Sequence, residues 1–300
     1  MAQFKTVDTY FTNRFLRVIQ HTPALCSLFI FGFISSVSMM GKQSLLRLPS
    51  DASSSSSSLL TSLLHVLSQY VGPTSNAALT QMFPTLVTPA SFVFLIWPII
   101  ALLQFVTLLL SILFPLQDEF LNGNELASLT TANILSITWL LSSSMATSST
   151  LPLGCVFTLP LVPFIISHPL RNKSRYILPA FQVYSSFTTL ATFLAVSLEL
   201  QYGGRLPKVS GEISALTFLF LYSASSLAVM KKSVAKRIVN VVALGGILYR
   251  RWMSKLGISG SWLQAVLSLM ISVSFWGTVG CFSWAFSELF PGKKKEEKKK

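Results

Sequence analysis

Residues 85–104 read TLVTPASFVFLIWPIIALLQ. Thr88-Pro89 keeps a helix from running in from upstream, because the proline ring pushes the residue before it out of helical backbone geometry. Phe92, Phe94 and Trp97 follow, and no charged residue interrupts the chain from Ser91 to Phe114. A run of that length meets the need of a helix for about 20 apolar residues to cross roughly 30 Å of hydrocarbon. The stretch therefore reads as a membrane helix that opens on an aromatic group. That group has two readings: a wall on which a flat ligand stacks, or packing against neighbouring helices.

The whole chain agrees with a membrane. It is 51% hydrophobic and 11% charged, with a mean hydropathy of +0.61, whereas about a quarter of a soluble domain is charged. Apolar runs at 22–41, 91–114, 126–147, 151–167, 177–199, 213–230, 236–250 and 261–287 predict an all-α polytopic bundle of about eight transmembrane helices. The seventh is the shortest between charges, since the residues between Arg237 and Arg250 make only about 18 Å of helix. The fourth carries Pro152, Pro160 and Pro163 and is expected to kink or break.

These runs lie in a transmembrane domain over 21–290. Before it, Phe4, Val7, Phe11, Phe15 and Val18 recur at helical spacing beside Lys5, Arg14 and Arg17, an interfacial amphipathic segment over 1–20. Within it, SDASSSSSS at 50–58 is a polar linker, and residues 59–70 suit a short helix on the membrane surface. A lysine-rich tail occupies 291–300.

The formal net charge of +13 sits in short basic clusters between apolar runs. That is where cytoplasmic loops keep Lys and Arg, so the charge marks topology and the chain has no nucleic acid partner. The clusters at the N-terminus, 168–176, 231–237 and the tail share one side of an eight-pass topology, which puts both termini in the cytoplasm. The tail also favours the endoplasmic reticulum or another endomembrane, with the plasma membrane or an organelle membrane as the alternative, and Asn172-Lys-Ser174, a glycosylation acceptor, stays unmodified on this topology.

The spans lack an ionisable carboxylate or amine at mid-membrane depth, which argues against an ion-coupled pump. His21, His65 and His168 sit at or outside span boundaries and cannot form a haem's axial pair. Cys26, Cys155 and Cys281 stand singly in different apolar runs, without metal-ligand or redox spacing, and read as buried packing residues. Catalytic residues, a metal site and a resident cofactor are accordingly not expected.

The motif TLVTPASFVFLIW resembles the segment TPAxxxFxIW that opens the second helix of the tryptophan-rich sensory protein (TspO/MBR-like) family, agreeing at Thr88, Pro89, Ala90, Phe94, Ile96 and Trp97. In the third helix that family has Asn-x-x-Trp; here Ser136-Ile-Thr-Trp139 keeps the Trp. In the fifth, Tyr-x-Gly-Trp-x-Ser-x-Ala-Thr is similar to residues 184–192, where Tyr184, Ala191 and Thr192 are kept, Ser186 replaces Gly and Phe187 replaces Trp. The resemblance is to the longer branch of the family. It implies a TspO-like five-helix core and a Trp-rich pocket for a porphyrin, sterol or other lipid, with the bilayer and that ligand as partners.

On this resemblance the binding residues are Pro89, Phe92, Phe94, Trp97, Ser136, Trp139, Tyr184, Phe187 and Thr192, with Trp97 and Trp139 stacking on the ligand and Tyr184 and Thr192 offering hydrogen bonds. Two other functions remain open: an assembly subunit, partnered by its own copies or by a larger membrane complex, and an uncoupled carrier of small solutes using the Ser/Thr-rich third and sixth spans. A second pattern, Leu244, Tyr249 and Arg251, matches a proposed cholesterol motif but equally suits a helix end with snorkelling arginines.

Overall fold

The structure, a computed structural model, describes residues 2–40, 79, 82–113, 121–147, 161–167, 178–203, 209–229, 234–253 and 261–289. Among these residues eight α-helices form: α1 (Ala2–Met40), α2 (Ile96–Leu113), α3 (Gly123–Ser144), α4 (Leu161–Ser167), α5 (Leu178–Leu198), α6 (Gly211–Val229), α7 (Val234–Met253) and α8 (Ser261–Leu289). A 3-10 turn, Ser91–Leu95, leads into α2, and a π turn, Glu199–Gly203, extends α5. The linker, the surface helix expected at 59–70 and the lysine-rich tail lie outside the described residues, as do 151–160 of the fourth expected span.

Among the described residues four stretches are long and apolar enough to cross a membrane: Leu16–Ser36, Ser91–Leu113, Gly123–Ser144 and Pro179–Gly203. Within α6 and α8, the stretches Gly211–Tyr222 and Trp262–Gly277 are also apolar. Burial follows helical phase. In α2, residues 97, 100, 104, 107, 108 and 111 turn inward while Ile99, Leu102, Phe105, Val106 and Leu109 are exposed. Outward apolar surface on this scale, with Trp252 at 78% and Trp276 at 68% exposure, is a liability in water and an asset in lipid.

The bundle is built around α5, which packs on α2, α4, α6 and α7. Helix α1 packs against α2 and α3, and α8 packs chiefly on α7. The start of α3 is set by a capping box: the Asn122 side chain accepts from the Glu125 amide at 3.0 Å and Glu125 Oε2 accepts from the Asn122 amide at 2.8 Å. Two otherwise orphaned donors are thereby satisfied reciprocally. Hydroxyls inside the helices fold back on their own backbones, as Thr107 to Leu103, Thr138 to Ile134 and Thr188 to Tyr184, which lets a polar side chain live in an apolar phase.

Segment 1–20 and the first span share one helix: α1 runs unbroken for 39 residues through Pro23, about 58 Å of helix. Its stretch Leu16–Ser36 is long and apolar enough to span the roughly 30 Å of hydrocarbon, and the helix extends beyond it. Pro23 removes the donor that would meet the Ile19 carbonyl, and on the same turn the Thr22 hydroxyl donates to the Val18 carbonyl at 2.8 Å. Cys26, expected to be buried, is exposed. Ala24, Ser27, Leu28 and Phe31 set the inward face of α1, and helical phase leaves position 26 outside it.

Candidate functional site

The lead-in to α2 is shaped by a turn and held by α7. Thr88 N donates to the Thr85 carbonyl at 3.2 Å, Thr85 N donates to Thr88 Oγ1 at 2.8 Å, and the two hydroxyls lie 2.8 Å apart. Ala90 is extended (φ −64°, ψ 151°), and its amide donates to the Gly246 carbonyl of α7 at 3.1 Å. Arg250 of the same helix donates to the Pro89 carbonyl at 3.3 Å, and the Phe92 and Tyr249 rings meet edge to face at 5.9 Å. Val93 presses on Gly246 so closely that a Cβ there would collide with it. Here glycine is required by close approach.

Past this clamp the turn rotates Trp97 into the bundle. Its ring centroid lies 5.0 Å from Phe187 and 5.5 Å from Phe31, both edge to face, and 5.6 Å from Trp139 at an interplanar angle of 34°. Phe31 reaches Tyr184 at 6.0 Å. Trp97, Phe31, Tyr184 and Phe187 are fully buried and Trp139 nearly so. The rings fill one another's space in the offset arrangements that aromatic quadrupoles prefer. Two of the polar handles are engaged and one is not: Tyr184 OH donates to the Ala132 carbonyl at 3.0 Å, so the Ser136 hydroxyl, 2.7 Å away, donates to Tyr184, while the buried Trp97 Nε1–H meets no acceptor. Thr192 Oγ1 donates to the Thr188 carbonyl at 2.8 Å.

The open space lies beside this group. A half-open pocket of about 420 Å³, open solvent at its mouth included, runs between the lead-in and α5. Thr85, Thr88, Pro89 and Phe94 form one wall, Ala191, Leu194 and Leu198 the other, and Leu79 and Phe83 close one side. Its make-up of apolar walls with a few polar groups is that of a small-molecule site. The polar groups are the two threonine hydroxyls of the Thr85–Thr88 turn.

The expected site residues thus divide. Pro89 and Phe94 line the pocket. Trp97, Ser136, Trp139, Tyr184 and Phe187 come together in the closed aromatic group. Phe92 joins neither, being 46% exposed beside Tyr249, and the Thr192 hydroxyl is turned onto its own helix. Leu79, Phe83, Leu194 and Leu198 also line the pocket, and nothing in the sequence distinguishes them from other apolar residues in an apolar chain. Thr85, in the opening stretch, lines it too.

Leu244 and Arg251 are buried while Tyr249 is exposed, so that triplet shares no face on which a sterol could lie. Among the described residues no three His, Cys, Asp or Glu side chains gather as metal ligands would.

A family model described as TSPO-like protein matches residues 54–276. No curated protein and no solved structure matches the chain. The match takes in the lead-in, both walls of the pocket and the α2, α3 and α5 members of the aromatic group, while the described α1, which contributes Phe31, precedes it. With four helices among the described residues able to cross a membrane and a match over most of its length, the chain is an integral membrane protein and belongs to the family of TSPO-like proteins.

Proposed function

We propose that the protein binds a hydrophobic small molecule of the flat, mostly apolar class that includes tetrapyrroles and sterols, and holds or passes it without catalytic chemistry of its own. The pocket between the lead-in and α5 carries this reading. It combines the family's motif residues Thr88, Pro89 and Phe94 with an α5 wall of Ala191, Leu194 and Leu198. Such a surface stabilises an apolar ligand by about 25 cal/mol per Å² removed from water. No residue among those lining it titrates near neutrality, which leaves a bound ligand without a general acid or base. The Thr85 and Thr88 hydroxyls sit where a single polar edge of the ligand would be fixed.

The fold around this pocket is proposed to pass the bilayer eight times with both termini cytoplasmic, on the distribution of Lys and Arg between the apolar runs. Glycan on Asn172 would reverse that topology.

The test is a tryptophan-quenching titration of the full chain in mild detergent with protoporphyrin IX and, separately, a fluorescent sterol. Saturable quenching is expected. Ala191→Phe, which fills the pocket, should weaken it at least tenfold, about 1.4 kcal/mol. Phe94→Ala, which enlarges the pocket without a clash, should alter affinity while the far-UV circular dichroism stays unchanged. Equal affinity in all three proteins would overturn the site. Absence of quenching together with a stable larger complex on purification would replace ligand binding with the assembly reading.

A further inference from the structure

Gln104 lies halfway along α2, fully buried, and neither its amide nitrogen nor its amide oxygen has a hydrogen-bond partner. Leaving such a group unpaired in an apolar medium is costly. Its neighbourhood follows from the helix contacts. Helices α1 and α2 run antiparallel, with Phe31 on Trp97, Gly32 against Ala101 and His21 on Ser111. The spacing 97, 104, 111 puts Gln104 on the stripe whose two ends touch α1. Midway between those ends α1 presents Ala24, Ser27 and Leu28, so Gln104 stands level with Ser27 to within about one residue's rise of 1.5 Å.

Ser27 in turn accepts from Asn133 Nδ2 of α3 at 3.4 Å and donates to the Ala24 carbonyl at 2.9 Å. Asn133 is fully buried and its Oδ1 is also unpartnered. Three helices thus bring a free carboxamide, a second amide oxygen and a hydroxyl to one layer in the middle of the membrane.

We propose that this layer is a binding site for a small uncharged hydrogen-bonding molecule, and that its occupant is water, one or two molecules bridging Gln104 and Asn133. The donor and acceptor inventory fits: water donates to Gln104 Oε1 and Asn133 Oδ1 and accepts from Gln104 Nε2, the two to four partners that buried waters make. A charged guest is disfavoured because amide and hydroxyl groups alone face it. On the same stripe of α2, Thr107 and Ser111 follow Gln104 at helical spacing. At that end the His21 Nδ1–H donates to the Arg17 carbonyl at 2.8 Å while its Nε2 accepts from Ser111 at 2.9 Å. The site is separate from the hydrophobic pocket, since Phe94 and Gln104 are about 15 Å apart along the helix, and it does not rest on the ligand-binding reading.

The test uses the full chain in lipid bilayers with ¹⁵N-labelled glutamine and asparagine side chains, and water-edited magic-angle-spinning NMR. The two peaks are assigned by their loss in Gln104→Leu and Asn133→Leu, with Gln104→Met, closer in volume, should the Leu variant fail to fold. Both carboxamides should take up water magnetisation at least tenfold faster than the backbone amides of Leu103 and Phe105. In Gln104→Met the uptake at Asn133 should fall at least threefold, because the bridging water loses its second anchor. Carboxamides as slow as the flanking backbone, or uptake at Asn133 indifferent to position 104, would overturn the proposal.

Discussion

Phe94 and Trp97 stand three residues apart on one lead-in, yet Phe94 borders open space and Trp97 is sealed. The difference comes from what meets each ring. Trp97 is met from three helices by Phe31, Trp139 and Phe187, whereas Phe94 faces Ala191, a residue too small to fill the gap between the lead-in and α5. A concentration of aromatic residues therefore makes a core when their partners are also large. It makes a pocket only where one side of the contact is small. In this chain the motif's Phe94 borders the pocket and its Trp97 packs in the closed group.

The sharpest way to break this comparison is to truncate both rings. Trp97→Ala removes a fully buried indole from a contact group that cannot collapse around it, and should cost roughly 3–5 kcal/mol of unfolding free energy. Phe94→Ala, at a half-buried ring beside existing space, should cost less than half as much. Chemical denaturation in detergent checks the pair, and equal losses would mean that Phe94 is as much a core residue as Trp97. Any ligand affinity that Trp97→Ala loses should track its loss of fold, because the indole packs on protein.

Gly246 offers the next test, because it couples the pocket to a helix that does not line it. The α7 clamp holds the lead-in by a backbone hydrogen bond, the Arg250 guanidinium and the Phe92–Tyr249 contact, all within one turn of Gly246. Gly246→Ala drives a methyl group into Val93, a buried side chain with little freedom to move, and overpacking of this kind costs about 1–3 kcal/mol. Adding Val93→Ala removes the obstructing methyls, so the double variant should be less destabilised than the two single losses added together. Thermal melts of the four proteins measure this. Simple additivity would show that the lead-in is not pressed on α7.

How much of this could be read beforehand depended on the kind of information each feature carries. Crossing a bilayer is a demand on composition and length, so the expected span 91–114 agrees with Ser91–Leu113 to a residue. The third span begins earlier than its apolar run, at Gly123, because Asn122 and Glu125 cap each other. Their polarity looked like the outside of a helix and is its first turn. The unbroken α1 was missed for a similar reason: His21-Thr22-Pro23 has the composition of a boundary, and only the burial of His21 against Ser111 shows that the helix continues. At the site, the motif named the right neighbourhood but not which way each ring turned, since that depends on the 3-10 turn and on α7. Gln104 did leave a trace, a lone carboxamide in a run of Leu, Phe and Val, and its meaning appears only when no partner comes to meet it.

Thr192 provides the smallest effect and the finest discrimination between the two halves of the site. It was read as a hydrogen-bond donor to the ligand, and it is one residue from Ala191, which lines the pocket. Its hydroxyl, however, donates to the Thr188 carbonyl one turn earlier, a bond that satisfies the side chain without adding an interhelical contact. Thr192→Val keeps the branched shape and loses only that hydroxyl. The variant should retain porphyrin affinity within about twofold and stability within about 0.5 kcal/mol, the usual range for a change that leaves no buried group unpaired. Titration and denaturation side by side decide the matter. A drop in affinity with stability unchanged would mean that the hydroxyl rotates away from Thr188 to meet the ligand, moving Thr192 back among the residues that bind and extending the pocket's polar edge from the lead-in to α5.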